Sequence, residues 1–497
     1  MMKKTILIAV SIIALVACVQ TPTSNENQIA AAKTSKLTQR ATPNILFIYT
    51  DDQAPWALGK SGNAQALTPN LDKMASQGMY FPNAYSTTPV CSPSRAGLLT
   101  SQYGYELGID DWIKTNKAKS LTGNQPDLGL DASYETWPEI LQQAGYYTGL
   151  IGKWHVGEKA EHQPTKHGYD EFIGFQAGGT KPLNPVLNKN GEDKQYQGLT
   201  TDILTDEAIA FIEKNRADKF VLSLHYRAPH YPFFPVAPED FSPYKNMDIK
   251  LAHPNYPDLN TKRAKQLMRE YLSSVRGIDR NVGRLLTSLD KLGLANNTVV
   301  IFTSDHGYNI AHNGIWHKGN GFWLLNESPK GTANIPDNQR PNMYNNSLKV
   351  PTIVRWPGVI PANTSNPSTF SNLDWFPTLV DLAKTKAKSD TIIRGQSFVP
   401  ALLDANVVLS TDYYAAYSTL HQSLTQMRVY SDGRYKLIKD FLNTGRDEFY
   451  DLSNDPQETT NLISEQLSAD HKAIIHRFEQ IILAKMQTTN DPVLPLL

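Results

Sequence analysis

The chain of 497 residues holds only two cysteines, Cys18 and Cys91, which excludes a disulfide-stapled scaffold. It carries no net charge either. The 48 lysines and arginines balance 48 acidic residues, no long basic run occurs, and nucleic acid is excluded as a partner. No internal repeat is visible, so solenoids and propellers are excluded as well. The apolar run Ile6 to Val16 is too short for a comfortable transmembrane helix. What remains is an ordinary globular composition, 40% hydrophobic and 10% aromatic, in a chain long enough for one large domain with a smaller companion, or for two domains.

The two cysteines have separate explanations. Ile6 to Val16 follows the basic start Met1-Met-Lys-Lys and reads as an export signal. It ends in Leu15-Val-Ala-Cys18, which resembles a bacterial lipobox, whose cysteine becomes the lipidated first residue after cleavage. The other reading is a plain secretory signal with a chance cysteine. On the lipobox reading, residues 1–17 are a lipoprotein signal peptide and residues 18–41, rich in Thr, Ser, Asn, Gln and Ala, are a flexible tether. The chain then meets a membrane through lipid on Cys18, as an exported lipoprotein of the periplasm or outer membrane; Val19 in place of Asp directs it away from the inner membrane. Cys91 is left without a partner. In Val90-Cys-Ser-Pro-Ser-Arg95, Pro93 suits a first helical position with Ser92 as N-cap, which puts Cys91 just outside a helix N-terminus. A lone cysteine there points to a functional thiol, or to a residue made from one.

Four apolar runs share one habit. Asn44 to Thr50 ends in Asp51-Asp52, and Asn297 to Ser304 ends in Asp305-His306. Tyr146 to Gly152 runs into Lys153-Trp-His155, and Phe220 to Tyr226 leads to Ala228-Pro-His230. Helical patterns lie between them, at Thr68–Ser76, Glu135–Gln143, Thr201–Asn215 and Thr261–Leu292. Buried strands alternating with helices predict an α/β fold with a largely parallel sheet covered on both faces, and such sheets bind ligands at the carboxyl ends of their strands. Singly, Asp51-Asp52 suits a turn, His155 and His230 suit ordinary structural histidines, and Lys153 suits the surface; their convergence at strand ends argues for a site.

The run Thr88-Pro-Val-Cys-Ser-Pro-Ser-Arg-Ala-Gly-Leu-Leu-Thr-Ser-Gln-Tyr103 resembles the C-x-P-x-R signature of type I sulfatases, in which a maturation enzyme oxidises the cysteine to formylglycine. Gly149-Leu-Ile-Gly-Lys-Trp-His155 is similar to the second signature of that family. The resemblance runs from Pro43 through Thr303-Ser-Asp-His-Gly307 and Val350 to Gly358 as far as Glu448 to Glu458, nearly the whole mature chain. It implies an alkaline-phosphatase-like catalytic domain over residues 42–400, with a large central, mostly parallel mixed sheet between helices. A smaller antiparallel C-terminal subdomain is expected over residues 401–497. There Met427–Lys439 reads as a hairpin around Asp432-Gly433, Arg446–Leu452 as a further strand, and Ser468–Met486 as a helix packed on the sheet.

The chemistry implied is sulfate-ester hydrolysis. Hydrated formylglycine at position 91 is a geminal diol: one hydroxyl attacks sulfur, and the other later loses its proton and expels sulfate by re-forming the aldehyde. A divalent cation, Arg95 and Lys153 lower the pKa of the attacking hydroxyl. Asp51, Asp52 and Asp305 are hard oxygen donors suited to Ca²⁺, and the family pattern assigns them to the metal together with residue 91. By the same resemblance His155 assists proton removal, while His230 and Lys318 bind sulfate and one of them protonates the leaving oxygen. One position departs: most sulfatases carry Asp-Asn where this chain has Asp305-His306, and a His306 nitrogen is a less natural Ca²⁺ ligand. Asp-His-Gly resembles iduronate and choline sulfatases, and also formylglycine-bearing phosphonate monoester hydrolases, the alternative enzyme class. A third reading is a lipoprotein that binds sulfated glycan without turnover. Trp316, Phe322 and Trp323 around Lys318, with Arg340 to Lys349, resemble bacterial carrageenan sulfatases, so a sulfated galactan oligo- or polysaccharide is the expected substrate.

Overall fold

A computed structural model describes residues 42–496 except 116, 118, 122, 125 and 126; the segments read as signal peptide (1–17) and tether (18–41), with Cys18, lie outside the described residues. The sequence from Asn44 to Asp51 is apolar except at its ends, and all eight residues are buried. A strand of that kind needs cover on both faces, and so lies at the middle of a parallel sheet. It pairs in parallel with Phe220–Pro229 on one side and Thr298–Ser304 on the other. Tyr147–Lys153 and Glu171–Phe175 continue the parallel array. Antiparallel pairing follows on both sides of a ten-stranded mixed sheet: through Thr352–Arg355 and Met79–Phe81 to the edge strand Thr364–Ser365, which lies parallel to Met79–Phe81, and through Val186–Lys189 to the edge strand Glu192–Gln195.

Alternation along the first strand assigns the two faces. Leu46 and Ile48 join Leu71, Met74, Leu222, Ile278 and Leu285, beneath the helices Pro69–Ser76 and Thr261–Lys291. Phe47 points the other way, its ring edge-on to Trp375 at 5.3 Å and 6.2 Å from Trp137, so the helices Trp137–Gln143 and Trp375–Leu382 cover that face. Gly152 and Gly174 lie side by side in register; a Cβ on Gly174 would come 1.8 Å from the Gly152 carbonyl oxygen, so the strand that ends in Lys153 packs only because both are glycine.

One boundary differs from the sequence reading. The helix runs Cys91–Thr100 with Val90, extended at φ −149° and ψ 157°, at the N-cap. Cys91 is thus the first helical residue, not the residue before the helix, and Ser92 is no cap: its hydroxyl accepts the Ile113 N–H at 2.9 Å. Pro93 fits the third helical position as readily as the first, because no first-turn N–H has an intrahelical acceptor.

The C-terminal sheet is a four-stranded antiparallel meander, Tyr413–Thr419, Thr425–Ser431, Tyr435–Asp440 and Glu448–Asp451. Its central turn is the expected one: Gly433 sits at φ +90°, and the Asp432 carboxylate accepts the N–H groups of Arg434 and Tyr435. The helix Ala469–Thr488, capped by Ser468, lays Phe478, Ile482 and Met486 against Leu437 and Phe449. Among the described residues no helix is long and apolar enough to cross a membrane.

Candidate active site

Each central strand delivers its polar residue where the sequence places it. Asp51 and Lys153 are the last residues of their strands, while Asp52, Asp305 and His230 follow theirs directly. Asp52 at φ 69° and His155 at φ 60° adopt left-handed backbone, a conformation sparsely used by such side chains and concentrated at functional sites. Lys318 arrives from outside the sheet, between the short strands Ile315–His317 and Phe322–Trp323. Its loop is pinned at both sides: the Gly319 N–H donates to the Pro89 carbonyl at 3.0 Å, and the Asn342 amide donates to the Lys318 carbonyl at 3.1 Å.

These elements converge on the Cys91 sulfur. The Lys318 ammonium donates to Sγ at 2.9 Å and to Asp52 Oδ1 at 2.7 Å. Asp51 Oδ1 and His306 Nε2 each lie 3.4 Å from Sγ. Lys153 Nζ meets Asp51 Oδ2 at 2.7 Å. The Arg95 guanidinium donates to Asp305 Oδ2 through Nε, with a terminal nitrogen also at 3.0 Å from that oxygen, and to the Lys153 carbonyl at 3.1 Å. Every charged group in this set is buried.

The donor chemistry fits a divalent cation. One ligand atom each from Asp51, Asp52, Cys91 and His306 lies within 4.8 Å of the others, and Asp52 Oδ2 is buried without a hydrogen-bond partner. The His306 Nδ1–H donates to the Gly307 carbonyl at 2.9 Å, which leaves the Nε2 lone pair facing Asp52 and Cys91. Asp305 stands behind these four: its Oδ1 accepts the backbone N–H groups of Asp52 and His306, and its Oδ2 takes Arg95.

Burial and neighbouring charge set the protonation states. Burial works to raise Asp51, but Lys153, His230 and Arg95 more than offset it and hold the carboxyl well below the usual range. Asp52 goes the other way: burial, joined by Asp51, outweighs Lys318 and raises it. Burial pushes the Cys91 thiol up to about 12, against Lys153 and Lys318. Burial followed by Lys153 holds His155 well below the imidazole range, so it is neutral.

The two assigned histidines stand at the margin of the cluster. His230 Nε2 is 4.0 Å from Asp52 Oδ2, and its Nδ1–H donates to the Tyr231 carbonyl. His155 donates its Nε2–H to the Ile113 carbonyl at 2.9 Å, leaving Nδ1 buried and unpartnered. Sequence reasoning passed over the groups that hold Arg95: the Tyr49 ring 5.1 Å beneath it, the His225 Nδ1 at 3.4 Å, and Ser94, whose hydroxyl donates to the Asp305 carbonyl at 2.5 Å. A histidine inside the apolar run Phe220 to Tyr226 was the visible signal.

The sulfatase family profile matches residues 43–385, and the profile of the C-terminal region of N-sulphoglucosamine sulphohydrolase matches residues 338–487. An N-acetylglucosamine-6-O-sulfatase of Bacteroides thetaiotaomicron is 26% identical over 534 aligned positions, which cover 90% of this chain and 88% of that protein. Human N-acetylgalactosamine-6-sulfatase is 31% identical over 393, covering 76% and 69%. Two solved structures share the fold at 24% identity. One, bound to its substrate D-glucosamine-2-N,6-O-disulfate, has a TM-score of 0.74 and covers 91% of this chain and 99% of its own. The other, Ps i-CgsB with a neocarrahexaose, has a TM-score of 0.71 and covers 91% and 93%. A family match over most of the described sequence, on an alkaline-phosphatase-like fold whose strand ends gather carboxylates and an imidazole about Cys91, makes this chain a member of the sulfatase family, a sulfuric ester hydrolase of the formylglycine type.

Proposed function

We propose that the enzyme removes sulfate from a sulfated galactan of the carrageenan kind, with formylglycine at position 91 as the nucleophile. The observation that carries the mechanism is the surround of Sγ: an ammonium at 2.9 Å, with a carboxylate and an imidazole at 3.4 Å. That sulfur stands where the diol oxygens stand after a formylglycine-generating maturation enzyme has acted. Asp51, Asp52, His306 and residue 91, backed by Asp305, would hold Ca²⁺ or another divalent cation, which would supply the positive charge that lowers the diol pKa and neutralises sulfate oxygens.

The rest falls to the chain itself. One hydroxyl of residue 91 forms a bond to sulfur as the bond from sulfur to the sugar oxygen breaks. Neutral His155 assists removal of the diol proton. Lys318 and His230 hold the sulfate oxygens, and one of them delivers a proton to the departing sugar oxygen. The second hydroxyl of residue 91 then gives up its proton, its electron pair re-forms the aldehyde, and sulfate leaves. Arg95 and Lys153 stabilise the negative charge that develops on the diol.

The substrate class rests on the mouth of the site. Tyr231 lies edge-on to Trp316 at 5.6 Å, and Phe322 lies 5.9 Å from Trp316. All three rings are partly or largely exposed beside Lys318, a wall suited to a sugar ring. The curated relatives named for 6-sulfated hexosamines favour a second reading, a hexosamine 6-O-sulfate. The lipid on Cys18 would hold the enzyme at the cell envelope, and Cys18→Ala would release it to the soluble fraction.

Purified enzyme is to be offered sulfated galactan oligosaccharides, hexosamine 6-sulfates and phosphonate monoesters, with and without chelator, and residue 91 weighed by peptide mass spectrometry. We expect sulfate release to be fastest on galactan, to be lost on chelation and restored by Ca²⁺. Faster turnover of phosphonate than of every sulfate ester would overturn the sulfatase chemistry, faster turnover of hexosamine would move the substrate, and an unmodified thiol at 91 with binding but no turnover would leave a glycan-binding lipoprotein.

A further inference from the structure

The sequence Arg227-Ala-Pro-His-Tyr-Pro-Phe-Phe-Pro235 carries His230 out of the strand Phe220–Pro229, with proline at 229, 232 and 235. Three backbone donors are missing, and a turn so short of N–H groups depends on side chains to fasten it. One fastening is apolar. Phe233 lies 5.3 Å from the Tyr271 ring and 6.1 Å from the Tyr308 ring. The other comes from Arg227, whose carbonyl accepts the His230 N–H at 3.1 Å and whose Nη1 donates to the Pro232 carbonyl at 2.9 Å. His230 thus sits between two contacts to one residue.

The same guanidinium reaches a second segment. Its Nε donates to the carbonyl of Thr180 at 2.8 Å, and Thr180 ends the strap Gln176-Ala-Gly-Gly-Thr180 that follows the strand Glu171–Phe175. His155 leans on this strap: the Gln176 carbonyl accepts the His155 N–H at 3.1 Å, and a Cβ on Gly178 would come 2.7 Å from His155 Nε2. A shift of the strap therefore moves the ring. Arg227 is 4% exposed and, among the described residues, meets no carboxylate in an ion pair. Burying a guanidinium without a counterion is costly, so stability does not account for it; donors that point to carbonyls on two separate segments do.

We infer that Arg227 is a positioning residue that couples the two histidine arms of the site, setting the His230 turn through Pro232 and the His155 strap through Thr180. Only its consequence for turnover rests on the roles proposed above for the two histidines. The coupling itself rests on the hydrogen bonds.

The test labels the full-length enzyme, Arg227→Met and Arg227→Lys with diethyl pyrocarbonate, which acylates accessible neutral imidazoles, and follows each histidine by peptide mass spectrometry. Labelling does not depend on turnover. Melting temperature is measured alongside, with kcat on the sulfate ester that wild type turns over fastest. Methionine keeps the stem and removes every donor; Arg227→Gln takes its place if it does not fold. We expect His155 and His230 to be acylated at least about fivefold faster in this variant, since each segment loses a hydrogen bond, with buried His167 and exposed His476 at wild-type rates. With both arms loose, kcat should fall at least about tenfold. Lysine, with the charge but a single nitrogen, should not restore both histidines. Wild-type labelling of either His155 or His230 in Arg227→Met would overturn the inference. An equal gain at His167, which would mean general loosening, would overturn it too, as would full recovery in Arg227→Lys, which would mean that charge alone matters. If labelling changes as expected while kcat stays at wild type, the roles given to the histidines fail and the coupling stands.

Discussion

Replacing Cys91 by serine separates the fold from the chemistry. Against the mature enzyme the change leaves one hydroxyl where the proposed diol has two, at a fully buried position where it meets the same three polar neighbours, Lys318, Asp51 and His306. Because the new group is hydrogen-bonded, its burial should cost no more than about 1 kcal/mol. In a chain of this size that amounts to a fall in Tm of about 2 °C at most. Catalysis should respond quite differently. A single hydroxyl can attack sulfur once, but it has no second hydroxyl whose proton and electron pair expel sulfate, so the covalent ester persists. Loss of a nucleophile of this kind typically lowers turnover by at least about 10³-fold. The assay is sulfate release by ion chromatography over many equivalents of substrate, with peptide mass spectrometry to confirm that residue 91 is still serine. A melting temperature near wild type with at most one equivalent of sulfate transferred is the expected result. Multiple turnover at a near wild-type rate by an unconverted serine enzyme would refute the geminal-diol mechanism.

Two further predictions concern stability. Arg428 and Asp491 form a buried bidentate pair, both bonds at 2.6 Å, that ties the residues after the last helix to the C-terminal sheet. Asp491→Asn leaves an uncompensated buried guanidinium and should cost about 3–5 kcal/mol in urea unfolding, while Arg428→Met with Asp491→Leu should recover most of it; equal stability of wild type and Asp491→Asn would count against the pair. His167 is buried against Trp154 with both ring nitrogens unpartnered, and burial, then His162, lowers it to about 4. The unfolded chain binds a proton there below about pH 6.5 and the folded chain does not until about pH 4, so wild type loses stability as pH falls through that window. His167→Phe should lose about 2 kcal/mol less between pH 7 and pH 5, and parallel stability curves would refute the assignment.

Much of the fold was legible because its signals are local. Apolar runs ending in acids or bases gave themselves away as central strands, the Asp432-Gly433 turn lay where expected, and the helix expected over Ser468–Met486 runs Ala469–Thr488. The first helical turn was misplaced by two residues because proline tolerates any of the first three positions, and Val90 carries no capping side chain to mark the true start. The strand Tyr413–Thr419 went unread: all seven residues are buried, so tyrosine, serine and threonine stand where a sequence reader looks for aliphatic residues. The environment of Arg95 was illegible for another reason. Tyr49, His225 and Asp305 come from three different strands, and only their register places them around one guanidinium.

That environment also says why so much charge is buried. Arg95, Lys153 and Lys318 face Asp51, Asp52 and Asp305 in ion pairs of 2.7–3.0 Å, three charges of each sign. Buried pairs of this kind seldom stabilise a fold relative to apolar packing, so stability does not account for them. Preorganisation does. On the proposed mechanism, the balanced set with a divalent cation would carry two positive charges in excess. A sulfate monoester would bring one negative charge, and the diol stripped of its proton the second. The cluster would then be matched in charge to the moment of attack and mismatched both before substrate binds and to a neutral diol, which is the condition for binding the reacting state more tightly than the ground state.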